Sequence, residues 1–164
     1  MTEDSAMGLT HTDESGNARM VDVSEKDITK RQAVAQGRIR VKPATLAMIR
    51  GNQVKKGDVL STARIAAIMA AKDTSDIIPL CHPIPITEIA VDFEIEQEEP
   101  AVLITVTVSA LWRTGVEMEA IVGVLAAAAT IYDMIKAVDR SAVITDVSLI
   151  KKTGGKSGTY TKEK

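Results

Sequence analysis

Asp133 and Lys136 stand three residues apart in TIYDMIKAVD, the spacing at which two side chains share one helix face and can touch. A carboxylate beside an ammonium can pass protons in both directions. The flanking Ile131, Met134, Ile135 and Val138 would partly desolvate the pair and move its pKa values toward those useful for proton transfer. The plain alternative is a surface ion pair worth about 0.3 kcal/mol. A second constellation is Cys81-His82, the only cysteine and one of two histidines, set among Pro79, Pro83 and Pro85. The prolines forbid a regular helix and argue against a central strand, so residues 72–85 read as a stiff, shaped loop. Adjacent residues seldom reach the geometry of a nucleophile and its base, so the expectation is a partly buried thiol beside a hydrogen-bonding histidine. No second cysteine or further histidine in the ordered region completes a metal ligand set.

A third group could hold an anion. Lys55 and Lys56 precede Gly57 in a turn, and Lys151, Lys152 and Lys156 surround GGKSG at residues 154–158. Glycine N–H groups there can wrap a phosphate. The GKS triplet is not a P-loop: Ile150 stands where the first glycine is needed, and no helix follows. A solvated Lys/Gly tail is the competing reading.

These residues need elements to position them. Residues 115–139, Ala-rich, acidic at the start and with Lys136 in the last turns, give the strongest helix pattern. Helix polarity alone accounts for Glu117 and Glu119 near its start. Yet at 100° per residue Glu119 lies about 40° from Asp133 around the axis, and Met118 lies over Lys136. One stripe therefore carries all four, with Glu119 and Asp133 roughly 21 Å apart along the axis. One nucleotide-sized ligand would struggle to bridge that span. A two-fold axis pairing these helices antiparallel would bring one chain's Glu119 near its partner's Asp133.

Around this helix, residues 31–41 read as a strand. Residues 44–50 read as a short helix entered through Pro43 and ended by Gly51, and residues 59–71 as a helix capped by Asp58 or Ser61. Residues 86–97 and 101–112 read as a hairpin, with Ile104, Val106, Val108 and Ala110 on one face, and residues 142–150 as a last strand. The order β, α in two pieces, β, β, α, β predicts an α+β, ferredoxin-like βαββαβ fold: a four-stranded antiparallel sheet with helices on one face. Residues 1–18, which include His11, read as a flexible arm, 19–152 as a single catalytic domain, and 153–164 as a flexible Gly/Lys-rich tail.

Composition narrows the function. Aromatic residues are 2% of the chain, too few for the stacking platforms of single-stranded nucleic-acid binding. The net charge of −2 draws in neither DNA nor an anionic membrane. One cysteine cannot form an intrachain disulfide, no signal peptide opens the sequence, and the apolar run 121–131 is too short to span a bilayer. A cytoplasmic protein with no nucleic-acid or membrane partner is expected.

MVDVSEK (20–26), KKGDVLSTARIA (55–66), IPLCHPIP (78–85), TGVEMEA (114–120), TIYDMIKAVD (130–139) and GGKSG (154–158) together resemble the molybdenum cofactor biosynthesis protein C family, the cyclic pyranopterin monophosphate synthases. The resemblance runs in order from about residue 9 to 158. It implies conversion of 3′,8-cyclo-7,8-dihydroguanosine triphosphate to cyclic pyranopterin monophosphate with release of pyrophosphate. On the same ground Asp133 falls at the acid/base position, with Lys136 beside it and Lys56 contributing. Leu80, Cys81, His82, Met118 and Glu119 fall at substrate contacts, and Glu117, Arg31 and Lys156 around the guanine and triphosphate. The family's assembly implies a homohexamer, a trimer of dimers with sites between subunits. No redox cofactor is signalled, and the resemblance leaves open whether Mg2+ escorts the triphosphate. Arg113, where lysine is equally to be expected, Thr153 in place of an expected serine, and Lys42, where some relatives carry Arg, are the departures. Two other readings compete: a nucleotide-sensing module, and an unrelated phosphotransferase weakened by the missing Walker glycine.

Overall fold

The computed structural model describes residues 15–156 and 158–163. His11 and most of the expected N-terminal arm lie outside the described residues, as does Ser157 of GGKSG. The elements in chain order are β1 (Thr29–Arg40), α1 (Pro43–Arg50), α2 (Val59–Lys72), α3 (Thr74–Ile77), β2 (Ile86–Glu96), β3 (Ala101–Trp112), α4 (Glu117–Ile135), β4 (Val143–Thr153) and β5 (Tyr160–Thr161). The sheet runs in the order β2-β3-β1-β4-β5, and every neighbouring pair is antiparallel. This is an α+β fold with its helices on one face of an open antiparallel sheet. The expected four strands become five, because Tyr160–Thr161 pairs with Lys151 and Lys152 at the β4 edge.

Local chemistry explains most boundaries. Pro43 opens α1, where its missing N–H costs nothing. Asp58 caps α2 by accepting from the Ser61 N–H, and Ser61 lies inside the helix. Gly51 follows α1 as expected, but the left-handed turn falls on Asn52 (φ 52°), whose short polar side chain tolerates it. The short helix α3 lies within the stretch read as loop and stops before Pro79, which preserves the irregular run that follows.

Small residues hold the layers close. Ala33, Ala35 and Ile39 of β1 and Ile104, Val106 and Val108 of β3 are fully buried under α4. A Cβ at Gly37 would stand 2.6 Å from a Val124 methyl, so this glycine lets α4 approach the central strand. In α2, Ala63, Ala67 and Ala71 recur every four residues, all with no exposure, and the helix packs against α4. The other face of the sheet is polar, with Gln32 donating to Ser109 and Gln36 to Thr105 across β1 and β3. That division is the usual one for an antiparallel sheet covered on one side.

The 19-residue α4 has the length and apolarity to cross a membrane, which the shorter run 121–131 does not. Its apolar side chains are used instead to pack against β1, β3, β4 and α2. It is the core helix of the domain.

Candidate active site

Two clefts adjoin at the N-terminal end of α4. Both are lined by Lys26, Thr114, Gly115, Glu117 and Lys152. The larger, about 550 Å³, adds Arg31, Arg113, Gly154, Gly155 and Lys156. The other, about 490 Å³, adds Leu80, Cys81, His82, Met118 and Glu119. Eight of the eleven residues singled out in the sequence thus meet at one end of one helix.

A β-bulge places one of the cations. Ala35 pairs with Leu149 but Val34 pairs with Lys151, so β4 carries an extra residue between them. The bulge reverses the alternation and puts Lys152 opposite Ala33, on the helix side of the sheet. There its ammonium meets Glu117 at 3.0 Å, in the first turn of α4. Gly115 beside it leaves room for the Glu117 carboxylate in this position, which a Cβ at residue 115 would push aside.

Arg31 is fixed by two carbonyls at the end of β3, donating from Nε to Trp112 O (3.2 Å) and from Nη2 to Arg113 O (3.1 Å). Its remaining nitrogen lies against Gly155. Gly154 and Gly155 take successive positive φ values, 97° and 75°, and a Cβ on Gly155 would collide with the guanidinium. The tail glycines therefore fold the chain over Arg31, whose planar fork suits phosphate oxygens.

Glu119 is only 4% exposed. Burial pushes its carboxyl up to about 7, against a backbone N–H that pulls it down, and the Glu117 charge adds to the rise. Cys81 is partly buried, and desolvation followed by the charge of Glu119 raises its thiol pKa. That keeps it a thiol, not a nucleophilic thiolate. His82 donates from Nε2 to Val21 O at 2.8 Å, the hydrogen-bonding role expected of it. Among the described residues no three His, Cys, Asp or Glu side chains gather as a metal ligand set.

Asp133, Lys136 and Lys56 form a second cluster at the C-terminal end of α4. Lys136 approaches Asp133 Oδ1 at 2.6 Å and Lys56 approaches Oδ2 at 2.8 Å. Lys56, from the turn before α2, also donates to the Asp133 carbonyl, satisfying a helix-end acceptor. The expected pairing is present, but the expected desolvation is not: the Asp133 and Lys136 side chains are 56% and 53% exposed. Hydrogen bonds from Lys136 and then Lys56, with their charges, hold Asp133 down at about 2, and Asp133 raises Lys136. Both shifts run away from neutrality, because opposite charges in water reinforce each other's ionised form. The cluster lines neither cleft.

With both clusters placed, comparison with known proteins is decisive. The sequence profile of the MoaC family matches residues 20–155. The chain belongs to the MoaC family. It is similar to the cyclic pyranopterin monophosphate synthase of Dinoroseobacter shibae, 54% identical over 156 residues that span 95% of this chain and 99% of the relative. The synthase of a Nocardioides species is 54% identical over 160 residues, 97% of this chain and 98% of that one. The Thermomicrobium roseum synthase is 52% identical over 155 residues, 94% and 93% of the two chains. In this MoaC-family chain, sequence reasoning missed Lys26 and Thr114 as cleft residues and the contacts of Arg113. MVDVSEK and TGVEMEA carried the first two as motif letters, and nothing in the letters alone showed that the two segments meet.

Proposed function

We propose that the chain converts 3′,8-cyclo-7,8-dihydroguanosine triphosphate to cyclic pyranopterin monophosphate and pyrophosphate, a step of molybdenum cofactor biosynthesis. The observation that carries this reading is the division of the motif residues between the two ends of α4. A cation-lined cleft with a buried carboxyl occupies one end, and a Lys–Asp–Lys cluster the other. Near-full-length relatives bearing the synthase name support it.

In this reading Arg31, Lys156 and the Gly154-Gly155 turn receive the triphosphate, and Glu117 lies beside the guanine. Leu80, Cys81, His82, Met118 and Glu119 enclose the rest of the substrate. Opening the five-membered ring and rebuilding it as a pterin needs several proton transfers, which Lys136, Asp133 and Lys56 relay. Displacement of pyrophosphate by a hydroxyl of the sugar-derived chain puts charge on phosphate oxygens, which the lysines and glycine N–H groups stabilise. Any Mg2+ arrives held by the triphosphate.

The two clusters are roughly 21 Å apart on one helix, so one site takes its cleft from one chain and its acid/base cluster from another. A dimer pairing α4 helices antiparallel, three of which make a hexamer, satisfies this. Such a partner would also cover the exposed Asp133–Lys136 pair and move both pKa values toward neutrality by desolvation. We further read the fold as ferredoxin-like: without β5, the order β2-β3-β1-β4 and the βαββαβ sequence of elements fit that arrangement.

Incubation with the cyclised GTP intermediate, following pyrophosphate release, tests the assignment. Stoichiometric conversion to the pterin is expected. Binding without turnover would replace the synthase by a sensing module, and a demand for a phosphate acceptor would replace it by a phosphotransferase.

A further inference from the structure

Residues 21–27 lie along the rim of both clefts, with Val21 and Val23 lining the smaller, Asp27 the larger and Lys26 both. Two side chains from elsewhere tie this segment down. His82 Nε2 holds the Val21 carbonyl at 2.8 Å. At the other end Arg113 donates from one nitrogen, Nη1, to the carbonyls of both Ser24 and Lys26, the latter at 2.7 Å. The segment is shaped to present those oxygens. Asp22 Oδ1 accepts from the Ser24 N–H (2.8 Å) and Oγ (2.6 Å), and the Lys26 N–H bonds Val23 O at 3.0 Å, which closes a turn. The turn aims its carbonyls inward at Arg113.

Among the described residues no carboxylate pairs with the Lys26 ammonium, which stands over the cleft that already contains Arg31 and Lys152. Arg113 also serves Arg31 directly, because its own carbonyl accepts from Arg31 Nη2. One residue therefore positions two cations, Arg31 through its main chain and Lys26 through its side chain.

We propose that Arg113 is a positioning residue. Its guanidinium holds residues 21–27 as a strap across the cleft rim and so sets Lys26 against the phosphates of the ligand. The anionic nature of that ligand rests on the function proposed above; the strap itself does not. A lysine would serve in place of arginine here, since an ammonium also carries enough donors to bridge two carbonyls.

The test uses the full chain and inorganic triphosphate as the probe. Amide hydrogen exchange of residues 21–27 is read without ligand, and triphosphate affinity by calorimetry. Arg113→Met is expected to raise exchange at Ser24 and Lys26 at least tenfold and to weaken triphosphate at least tenfold, while Arg113→Lys restores both. Lys26→Gln is expected to weaken triphosphate with the strap still protected, and the Arg113→Met/Lys26→Gln double variant to be no weaker than Arg113→Met alone. If Arg113→Met does not fold, Arg113→Gln takes its place. Weaker binding with unchanged exchange would overturn the proposal by making Arg113 a direct ligand. Faster exchange with unchanged binding would overturn it by detaching the strap from the cleft. Failure of the synthase reading would instead show as a wild-type protein that never converts the cyclised nucleotide, whatever the strap does.

Discussion

At the N-terminal end of α4 one carboxyl, Glu119, is buried and pushed up to about 7. At the C-terminal end another, Asp133, sits exposed between two ammonium groups and is held at about 2. The same helix thus separates two carboxyls by environment alone, desolvation acting on one and counter-charge on the other. The cleft end is finished within one chain: its cations, its glycine turn and its strap are all anchored. The Lys–Asp–Lys end is pre-assembled but exposed, so at neutral pH Asp133 stays ionised and Lys136 stays protonated, each strengthening the other's charged form. What the contrast teaches is that one helix can hold a neutral, buried carboxyl at one end and an ionised, exposed one at the other; in the function proposed above, a partner's surface would desolvate the exposed end.

The contrast is most exposed to test at the open end. Lys136→Ala and Asp133→Asn should each cut turnover by roughly 10²–10⁴, the usual worth of positioned acid–base groups, with substrate affinity nearly unchanged. Steady-state product formation set beside equilibrium binding separates the two quantities. Equal losses in both would mean that the cluster grips the substrate, and the division of labour between the helix ends would collapse.

A mixing experiment sharpens the same point. Glu119→Ala and Asp133→Ala are each expected to be inactive alone. After random exchange in a two-fold dimer half the pairs are mixed, each with one intact site, so about a quarter of wild-type activity should return. Proven subunit exchange with no recovery would place both residues in a site made by one chain, against the roughly 21 Å of helix between them.

How far the letters alone led follows the range of the interactions. The helix α4, the buried stripe Ile104, Val106, Val108 and Ala110, and the Asp58 cap of α2 are set by periodicity and near neighbours, and each is where the sequence places it. The Asp133–Lys136 contact is local too, one helical turn, and it formed. Its solvation was not legible, because the apolar neighbours Ile131, Met134 and Ile135 turn into the core of their own chain and leave the pair outside. Lys152 reaches Glu117 only through a bulge in β4, an extra residue that no alternation pattern in KKTGG announces. The grip of Arg113 on Ser24 and Lys26 joins segments almost ninety positions apart in the chain and uses backbone oxygens, which side-chain letters cannot display. The β5 strand pairs just two residues, too short to stand out from a Gly/Lys tail.

The smallest expected effect, and the most direct check on the comparison, is in the pH dependence of stability. The Glu119 pKa rises from an ordinary 4.5 when unfolded to about 7 when folded. Between those values the folded state holds more protons than the unfolded state, so the contribution of the neutral carboxyl is complete below 4.5 and is lost as pH rises through about 7. The loss is roughly 3 kcal/mol. Glu119→Gln keeps a neutral, hydrogen-bonding group at every pH and should become more stable relative to wild type as pH rises from about 5 to about 8. Asp133 runs the other way: its lowered pKa gives stability present above 3.8 and lost as pH falls through about 2. Asp133→Asn should therefore shift stability by a constant amount over that neutral window. Urea titrations of the three proteins at the two pH values read both slopes. A Glu119→Gln advantage that fails to grow with pH would mean the carboxyl is solvated in the fold, and the two ends of α4 would then not differ as described.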